Sequence, residues 1–271
     1  MKRILHATDY SENSIPALKY ALSLSKKLNA SLFVIHVFDS LPLGLDGEKN
    51  NKHLSILAEF CELHYEGDID ELDLSFDAIE DKSIVHAILK KSYSLNADLI
   101  ITGTKSEKVI KELLLENTVK KLIEKAPCPV LSIPKEHNSD KIDTIVYASD
   151  LGENDISAIY DLVLIAKPYN ATIKIVHISL KEDDAMRKKL EWFIELLNEK
   201  VVYNKIDIEV IYSDDIFESL KTYLDEKNAD MITMLERKSK GIMNMLFHID
   251  LVKKMETLGN IPLMSINENN L

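Results

Sequence analysis

The chain has 271 residues, a formal net charge of −12 and only 7 glycines. The acidic balance opposes general binding to nucleic acid or to an anionic membrane surface, because both require a basic face. The scarcity of glycine excludes the two common glycine-rich nucleotide loops, since neither G-x-G-x-x-G nor G-x-x-x-x-G-K-[ST] occurs in the sequence.

The sequence also gives no sign of export or of membrane insertion. Only a short stretch separates the first basic residues from Asp9, and no run of 18 apolar residues occurs. Cys61 and Cys128 do not have the spacing of a metal or redox motif. These features predict a cytoplasmic protein that binds neither nucleic acid nor membrane.

The first half of the chain is predicted to alternate strands with helices. Short apolar runs predict the strands, and apolar residues at helical spacing predict the helices. Pro16 suits the first turn of the first helix, after the cap-type residues Ser11 and Asn13. In chain order the predicted elements are strand Ile4–Thr8, a helix through Ala17 and Leu28, strand Ser31–Val37, helix His53–Tyr65, strand Leu72–Ile79, a helix through Ile84 and Lys91, strand Leu99–Thr102, helix Val119–Ile123 and strand Val130–Ile133.

The second half of the chain repeats the first. At an offset of 141 or 132 residues the identical pairs include Ala7 and Ala148, Asp9 and Asp150, Asn29-Ala30 and Asn170-Ala171, His36 and His177, and Asn96-Ala97-Asp98 and Asn228-Ala229-Asp230. A colinear match of this length predicts a tandem duplication. The expected domains are residues 1–134 and 142–271, joined by a short polar linker over 134–141.

The repeated order of elements predicts the fold class. The strands of the second half are expected at Ile145–Ala148, Ile173–Ile178, Ile206–Ile211, Met231–Met234 and Leu263–Ile266. Alternating strands and helices with continuous apolar strands predict an α/β protein of two tandem doubly wound domains, each with a parallel sheet covered on both faces. Ligands bind such sheets beyond the carboxyl ends of the strands. The turns after Thr8-Asp9 and from Gly103 onward are therefore the first places to expect a site.

Four pieces of the first half resemble the universal stress protein family. They are I-L-x-A-T-D ending at Asp9, the pair His36-Val37, A-D-L-I-I-x-G from Ala97 to Gly103, and A-P-C-P-V-L from Ala126 to Leu131. Through the repeat, the resemblance covers both halves. It implies an adenine-nucleotide α-hydrolase-like fold with a five-stranded parallel sheet of order 3-2-1-4-5, dimeric packing, and a division into ATP-binding and non-binding members.

The nucleotide motif of that family, Gly-x2-Gly-x9-Gly-[Ser/Thr], is degraded in the first half. Gly103 matches the first glycine, but Ser106, Glu116 and Asn117 stand at the remaining positions. A carboxylate about 4 Å from a phosphate charge costs roughly 4 kcal/mol at an effective dielectric near 20, about half of a micromolar binding energy. In the second half the same positions fall on Leu235, Lys238, His248 and Ile249, so no nucleotide is expected there.

The resemblance therefore implies a nucleotide site in the first half only, with ATP as the one cofactor to consider. Its candidate residues are Ala7, Thr8, Asp9, Val37, Gly103, Lys105, Ser106, Asn117 and Thr118. Asp9 has two interpretations, as a partner of a ribose hydroxyl or adenine amine or as a cap of the following helix. For Asp150 we expect the cap. No catalytic and no metal-binding residues are predicted.

The other chemistry-bearing residues favour structural roles. His36 and His177 each end an apolar strand without a second metal ligand at suitable spacing, and Cys128 has no base beside it in sequence. His64, His86 and His248 are isolated and are expected at the surface. The basic, methionine-rich segment 236–247 is interpreted as a packing surface, with a ligand or partner surface as the alternative.

Three functions stay open at this point. The leading one is a non-catalytic cytoplasmic stress-response protein that binds ATP or another adenine nucleotide weakly in its first half. The first alternative is a protein-interaction module with an unidentified protein partner and no nucleotide. The second is a weak ATP hydrolase, for which Asp9 is the candidate metal carboxylate. In each case we expect the two halves to pair as an internal pseudo-dimer, and a homodimer of whole chains is compatible with the family.

Overall fold

The computed structural model describes residues 1–39, 46–104, 116–236 and 261–268, without the side chains of residues 46–50 and 116–117. The chain divides into two compact units, Met1–Asp140 and Lys141–Leu271. This division falls inside the polar stretch 134–141. Each unit contains a five-stranded parallel sheet with helices packed on it.

The first unit has the predicted strand order. Its strands are hydrogen-bonded in the order β3-β2-β1-β4-β5, with β1 in the centre because the chain turns back across the sheet after β3. The order 3-2-1-4-5 is thus confirmed for this unit. Its elements are β1 (Arg3–Ala7), α1 (Ile15–Leu28), β2 (Ser31–Phe38), α2 (Asp46–His64), β3 (Leu74–Glu80), α3 (Ile84–Leu95), β4 (Leu99–Gly103), α4 (Glu116–Lys125) and β5 (Val130–Ile133).

The second unit repeats this arrangement with the order β8-β7-β6-β9-β10. Every strand predicted from the repeat is present, and each extends at most two residues beyond its expected bounds. The α/β class is therefore confirmed for both units. The elements are β6 (Thr144–Ala148), α5 (Glu153–Tyr169), β7 (Thr172–Ser179), α6 (Asp184–Lys200), β8 (Ile206–Tyr212), α7 (Ile216–Glu226), β9 (Met231–Glu236) and β10 (Leu263–Asn267).

Three predicted element starts were wrong by two residues or more, one of them that of α4, which begins at Glu116 instead of Val119. Helix α2 begins at Asp46 instead of His53, because its first residues are polar and give no apolar periodicity to detect. Strand β3 begins at Leu74 instead of Leu72, because Ile69–Glu71 form a 3-10 turn. The carboxylate of Asp68 caps that turn by accepting the amide of Asp70 at 3.0 Å.

The core of each unit forms where the apolar strands meet the apolar faces of the helices. Ala17, Ala21 and Leu24 are fully buried on α1, which packs against β4 and β1. Helices α1 and α2 contact each other, as do α3 and α4, and two helix layers therefore cover the sheet of the first unit. In the second unit, Leu220 and Leu224 of α7 pack on a core formed by β6, β7, β9 and β10.

The repeated asparagines mark the ends of helices. Asn29 and Asn170 follow α1 and α5 with φ of 51° and 57°, and Asn96 and Asn228 follow α3 and α7 closely with φ of 45° and 49°. Asparagine enters the left-handed region more readily than other L-residues with a side chain. These identities between the halves therefore reflect chain reversal after a helix and not a shared binding site.

The repeated aspartate after each Asn-Ala pair anchors the central strand of its unit. Asp98 Oδ2 accepts the amides of Lys2 and Arg3 at 2.7 and 2.9 Å, at the start of β1. Asp230 Oδ2 accepts the amides of Asp143 and Thr144 at 2.7 and 2.8 Å, at the start of β6. One carboxylate thus fixes the register between strands that are distant in sequence.

We predict that Asp98→Ala destabilises the protein by about 1–2 kcal/mol, because two amides at the start of β1 lose a charged acceptor. Asp98→Asn should cost less, since its side-chain oxygen can still accept. Urea denaturation followed by circular dichroism measures both effects. The exposed Glu62→Ala is the control for loss of one negative charge, and equal losses in Asp98→Ala and Glu62→Ala would contradict the anchoring role.

A histidine is buried in the middle of β1. The Nδ1–H of His6 donates to the carbonyl of Ile101 at 3.1 Å, and its Nε2 is buried without a hydrogen-bond partner. Burial lowers the pKa of His6 to about 4, although the bond to Ile101 and the charge of Asp9 oppose the shift. The folded protein therefore holds His6 neutral across the physiological pH range.

We predict that the His6 contribution to stability is complete above about pH 6.5 and declines as pH falls towards 4, because only the unfolded chain then takes up the proton. Between pH 7 and pH 5 the loss is about 2 kcal/mol. In His6→Gln this pH dependence should be reduced by that amount in urea denaturation. A variant with the same loss as the wild type would contradict a neutral buried His6.

Candidate functional site

The turn after the first strand has the same unusual backbone in both units. Tyr10 and Leu151 adopt the left-handed region with φ of 61° and 54°, where non-glycine residues are uncommon. In each case the hydroxyl two residues earlier accepts the amide: Thr8 Oγ1 from Tyr10 at 3.2 Å, and Ser149 Oγ from Leu151 at 2.9 Å. This bond turns the chain sharply at the carboxyl edge of the sheet.

The predicted site residue Asp9 lies at this turn and is exposed. Its Oδ1 accepts the amide and the hydroxyl of Ser11 at 3.1 and 2.5 Å. These bonds support the capping interpretation only in part. They stabilise the turn that leads into the helix, but the N-cap of α1 itself is Ser14. Contact of Asp9 with a ribose or adenine stays a prediction.

Thr8 and Gly103 are held by their neighbours. Ser14 Oγ donates to the carbonyl of Ser11 at 2.8 Å, so the hydroxyl of buried Thr8 donates in turn to Ser14 Oγ at 2.9 Å. Gly103 ends β4, and a Cβ at this position would lie 3.3 Å from the backbone oxygen of Asn13. A side chain at position 103 would therefore make a tight contact with the backbone of Asn13 even without a ligand.

The other candidate residues are only partly brought together. Ala7 pairs with Ile35 of β2 and with Thr102 of β4, and Val37 pairs with Ile79 of β3. Thr118 is buried in the first turn of α4. Lys105 and Ser106 lie outside the described residues, and for Glu116 and Asn117 only the backbone, at the start of α4, is described.

Six rings of the first unit form a continuous cluster where β1 and β2 end against α2. His36 and His53 lie at its centre, with 5.4 Å between ring centroids. His53 stacks on Phe38 at 4.3 Å, and Tyr10 packs on His36 at 4.2 Å. The ring cluster comprises Phe38, His53, His36, Tyr10, Phe60 and His64.

Burial shifts the ionisation of several rings in this cluster. It raises the pKa of Tyr10 to about 12, with a smaller contribution from Cys61. It lowers the pKa of His53, with further contributions from His36 and Lys52, and it lowers the pKa of His64, where Lys19 adds to the effect. Our expectation that His64 is an isolated surface residue was wrong, because its ring packs edge-on against Phe60 at 4.7 Å.

The two repeated histidines make the same backbone bond. The Nδ1–H of His36 donates to the carbonyl of Thr8 at 2.9 Å, and that of His177 to the carbonyl of Ser149 at 2.7 Å. Each imidazole thus ties the end of the second strand to the turn after the first. This geometry agrees with the structural role predicted for both histidines.

The cysteines are buried thiols, as the sequence indicated. Burial raises the pKa of Cys61 and of Cys128 to about 12, with minor contributions from Glu62 and Asp98. A thiol in this state is a poor nucleophile because it is the thiolate that reacts. Neither cysteine therefore contributes chemistry to the carboxyl edge.

The second unit replaces the hydroxyl contacts at this turn by a buried carboxylate. Asp155, which corresponds to Ser14, is almost fully buried and accepts the hydroxyls of Tyr147 and Ser149 at 2.7 and 3.1 Å. It also accepts the amide of Gly152 at 2.7 Å. The expected cap by Asp150 was wrong, since the N-cap of α5 is Gly152 and the carboxylate is that of Asp155.

A small pocket opens at the carboxyl edge of the second unit. Its walls are mostly apolar, with Asp150 and His177 as the ionisable members. Four of its lining residues correspond through the repeat to the predicted site residues Ala7, Thr8, Asp9 and Val37 of the first unit. The lining residues are Ala148, Ser149, Asp150, Val176, His177, Ile178, Ile216 and Leu220. In the positions of the phosphate motif, Leu235 lies in β9, and Lys238, His248 and Ile249 are outside the described residues.

The acidic turns serve as caps. Asp183 accepts the amide of Met186 at the start of α6, and Glu71 pairs with Lys26 at 2.7 Å.

Within the described ranges, no cluster of three histidine, cysteine or carboxylate side chains could hold a metal ion, and no helix is long and apolar enough to span a bilayer. Of segment 236–247, only Glu236 is among the described residues.

Comparison with known proteins gives a consistent result. The sequence pattern of the Universal stress protein family matches residues 1–134. A universal stress protein of Methanocaldococcus jannaschii is 28% identical over 144 residues, covering 49% of this chain and 82% of that protein. The match in sequence thus extends over about one half of the chain.

Solved structures share the fold over nearly the full length. A universal stress protein of Archaeoglobus fulgidus is 21% identical, with a TM-score of 0.67 over 98% of this chain and 96% of that chain. A functionally unknown protein of Pseudomonas aeruginosa is 16% identical, with a TM-score of 0.63 over 98% and 92% of the two chains. At these identities the likeness concerns the fold alone.

Proposed function

Because this chain belongs to the universal stress protein family, we propose that it is a non-catalytic stress-response protein whose first unit binds an adenine nucleotide weakly. The observation that carries the proposal is the pairing of β1 with β4, in which Ala7 lies opposite Thr102. This pairing brings Asp9 and Gly103 to the same carboxyl edge of the sheet. Ligands of doubly wound sheets bind at that edge, where the strand order reverses.

Weak binding follows from the charge at the start of α4. A helix N-terminus favours a bound phosphate because its free amides and its dipole are positive. Glu116 is the first residue of α4, and we infer that an acidic residue at this position opposes a bound anion. A triphosphate at the same place would be repelled, and more strongly than a monophosphate or a neutral nucleoside.

A binding role without catalysis fits the chemistry of this edge. Hydrolysis of ATP needs a carboxylate to hold a metal ion and a group to position water. Asp9 is the carboxylate available beside Gly103 among the described residues, and its Oδ1 already accepts two hydrogen bonds from Ser11. We therefore assign Asp9 to binding and not to a reaction.

One observation favours the alternative of a protein-interaction module without nucleotide. The ring cluster fills the edge between β1 and β2 with the protein's own side chains, among them Tyr10 directly after Asp9. If these rings take up the space for a base, the first unit acts through a protein partner instead. The binding experiment below separates the two functions.

We also infer that the two units pair as an internal pseudo-dimer, because duplicated domains often recreate the symmetric contact of a homodimer. Side-chain contacts hold the linker against α1 of the first unit. Ser23 of α1 donates to Asp140 at 2.7 Å, and the rings of Tyr20 and His137 lie 5.5 Å apart.

We expect the two halves to stay together after the linker is cut. A protease site inserted between Asn138 and Ser139 would allow cleavage of the folded full-length chain. Size-exclusion chromatography should then give one peak that contains both fragments, at the elution volume of the uncut protein. Two separate peaks at micromolar concentration would contradict the pseudo-dimer.

We predict that Glu116→Gln strengthens ATP binding by about tenfold or more, because it removes a negative charge close to the phosphates. Isothermal titration calorimetry on the full-length chain with ATP, AMP and adenosine measures the effect. The gain should be largest for ATP and absent for adenosine. Glu124→Gln, in the last turn of the same helix, is the matched control and should change nothing.

The repeat provides a second control for the same titration. Asp9→Asn should weaken nucleotide binding, whereas Asp150→Asn, its counterpart in the second unit, should not. Loss of binding in Asp150→Asn alone would move the site to the second unit. If neither the wild type nor Glu116→Gln binds ATP or AMP, the nucleotide function is wrong and the interaction module stands.

A further inference from the structure

We propose that the ring cluster is an acid-sensitive contact, which holds α2 against the carboxyl edge of the first unit and releases it when His53 takes up a proton. The contact joins three elements that are separate in sequence. His36 and Phe38 come from β2, Tyr10 from the turn after β1, and His53 from α2. This inference does not depend on nucleotide binding.

The cluster is built around His53. Its ring lies between Phe38 at 4.3 Å and His36 at 5.4 Å, nearly parallel to both. Its backbone carbonyl accepts the hydroxyl of Tyr10 at 3.3 Å. A single residue of α2 is thus held by two rings of β2 and by one hydroxyl from the turn after β1.

The closed arrangement accommodates a neutral His53 better than a charged one. Its Nδ1 is buried without a hydrogen-bond partner among the described residues, so a proton added there would find no acceptor among them. His36, which stacks on His53, uses its Nδ1–H on the carbonyl of Thr8 and is thereby held in place.

Among the side chains that the structure describes, no carboxylate stabilises the charged form of His53. Lys52 on α2 and His36 on β2 both disfavour its charged form, and Lys19 of α1 does the same for His64. Lys19 also pairs with Glu66 at 3.6 Å. On β3 the ionisable residues are Asp77 and Glu80, and Asp77 pairs with Lys91 of α3 at 2.6 Å. On α2 the ionisable residues include Glu59, Cys61 and Glu62.

The sign of the effect follows from these contacts. When α2 separates from the edge, His53 enters water and regains an ordinary pKa near 6.5. Protons therefore bind the open form more tightly than the closed form. The closed contact is at full strength above about pH 6.5 and weakens as pH falls, with an increase of about tenfold in opening between pH 7.5 and pH 5.

Hydrogen exchange of the full-length protein, corrected for the intrinsic rate at each pH, tests this mechanism. Peptides that cover residues 51–64 should lose protection about tenfold between pH 7.5 and pH 5. Peptides from α1 and α6 should not show this change. Equal protection of residues 51–64 at both pH values would overturn the proposal.

Variants identify the groups responsible. His53→Phe keeps a ring in the stack and should remove most of the pH dependence, and His53→Leu serves the same purpose if the larger ring impairs folding. Phe38→Leu should increase opening at both pH values alike, because it removes a stacking partner but no titrating group. His177→Phe, which alters the corresponding histidine of the second unit, should leave residues 51–64 unchanged. Full pH dependence in His53→Phe and His53→Leu would refute the assignment.

Discussion

The hydrogen bond from a backbone amide to the hydroxyl two residues earlier, after the first strand of each unit, determines what the rest of the carboxyl edge can do. Thr8 and Ser149 each hold the following turn in a left-handed conformation that Tyr10 and Leu151 would otherwise avoid. This bond fixes the position of the carboxylate just before it, that of Asp9 or Asp150. It also fixes where the side chain of the left-handed residue, Tyr10 or Leu151, packs. The edges of both units are built outward from it.

The same turn supports two different edges. In the first unit the left-handed residue is Tyr10, and its ring begins a cluster that extends through His36 to α2. In the second unit it is Leu151, and a small pocket remains open beside Asp150 and His177. The histidines make identical backbone bonds in both units. Divergence has therefore kept the amide–hydroxyl and histidine–carbonyl bonds of the edge. It has changed the side chains that fill the edge and the partner of the turn hydroxyl, which is Ser14 in the first unit and Asp155 in the second.

Much of the fold could be predicted because the signals were local or repeated. The apolar strands gave correct elements because each depends on a short stretch of sequence, and the repeat gave the same pattern a second time. The start of α2 could not be predicted, because its first turns are polar and their helical state depends on the rest of the chain. The ring cluster was missed for a related reason: Tyr10, His36 and His53 are far apart in sequence and meet only when β1, β2 and α2 are assembled.

Gly103 has a structural reason to be glycine that is independent of any ligand. The 3-10 turn over Glu12–Ser14 brings the oxygen of Asn13 against this position, so a Cβ there would make a tight contact with the backbone at 3.3 Å. In the second unit α5 begins directly after its Gly152 cap, and the corresponding position is occupied by Leu235. The glycine at position 103 is therefore explained by the turn that packs against it, independently of any phosphate.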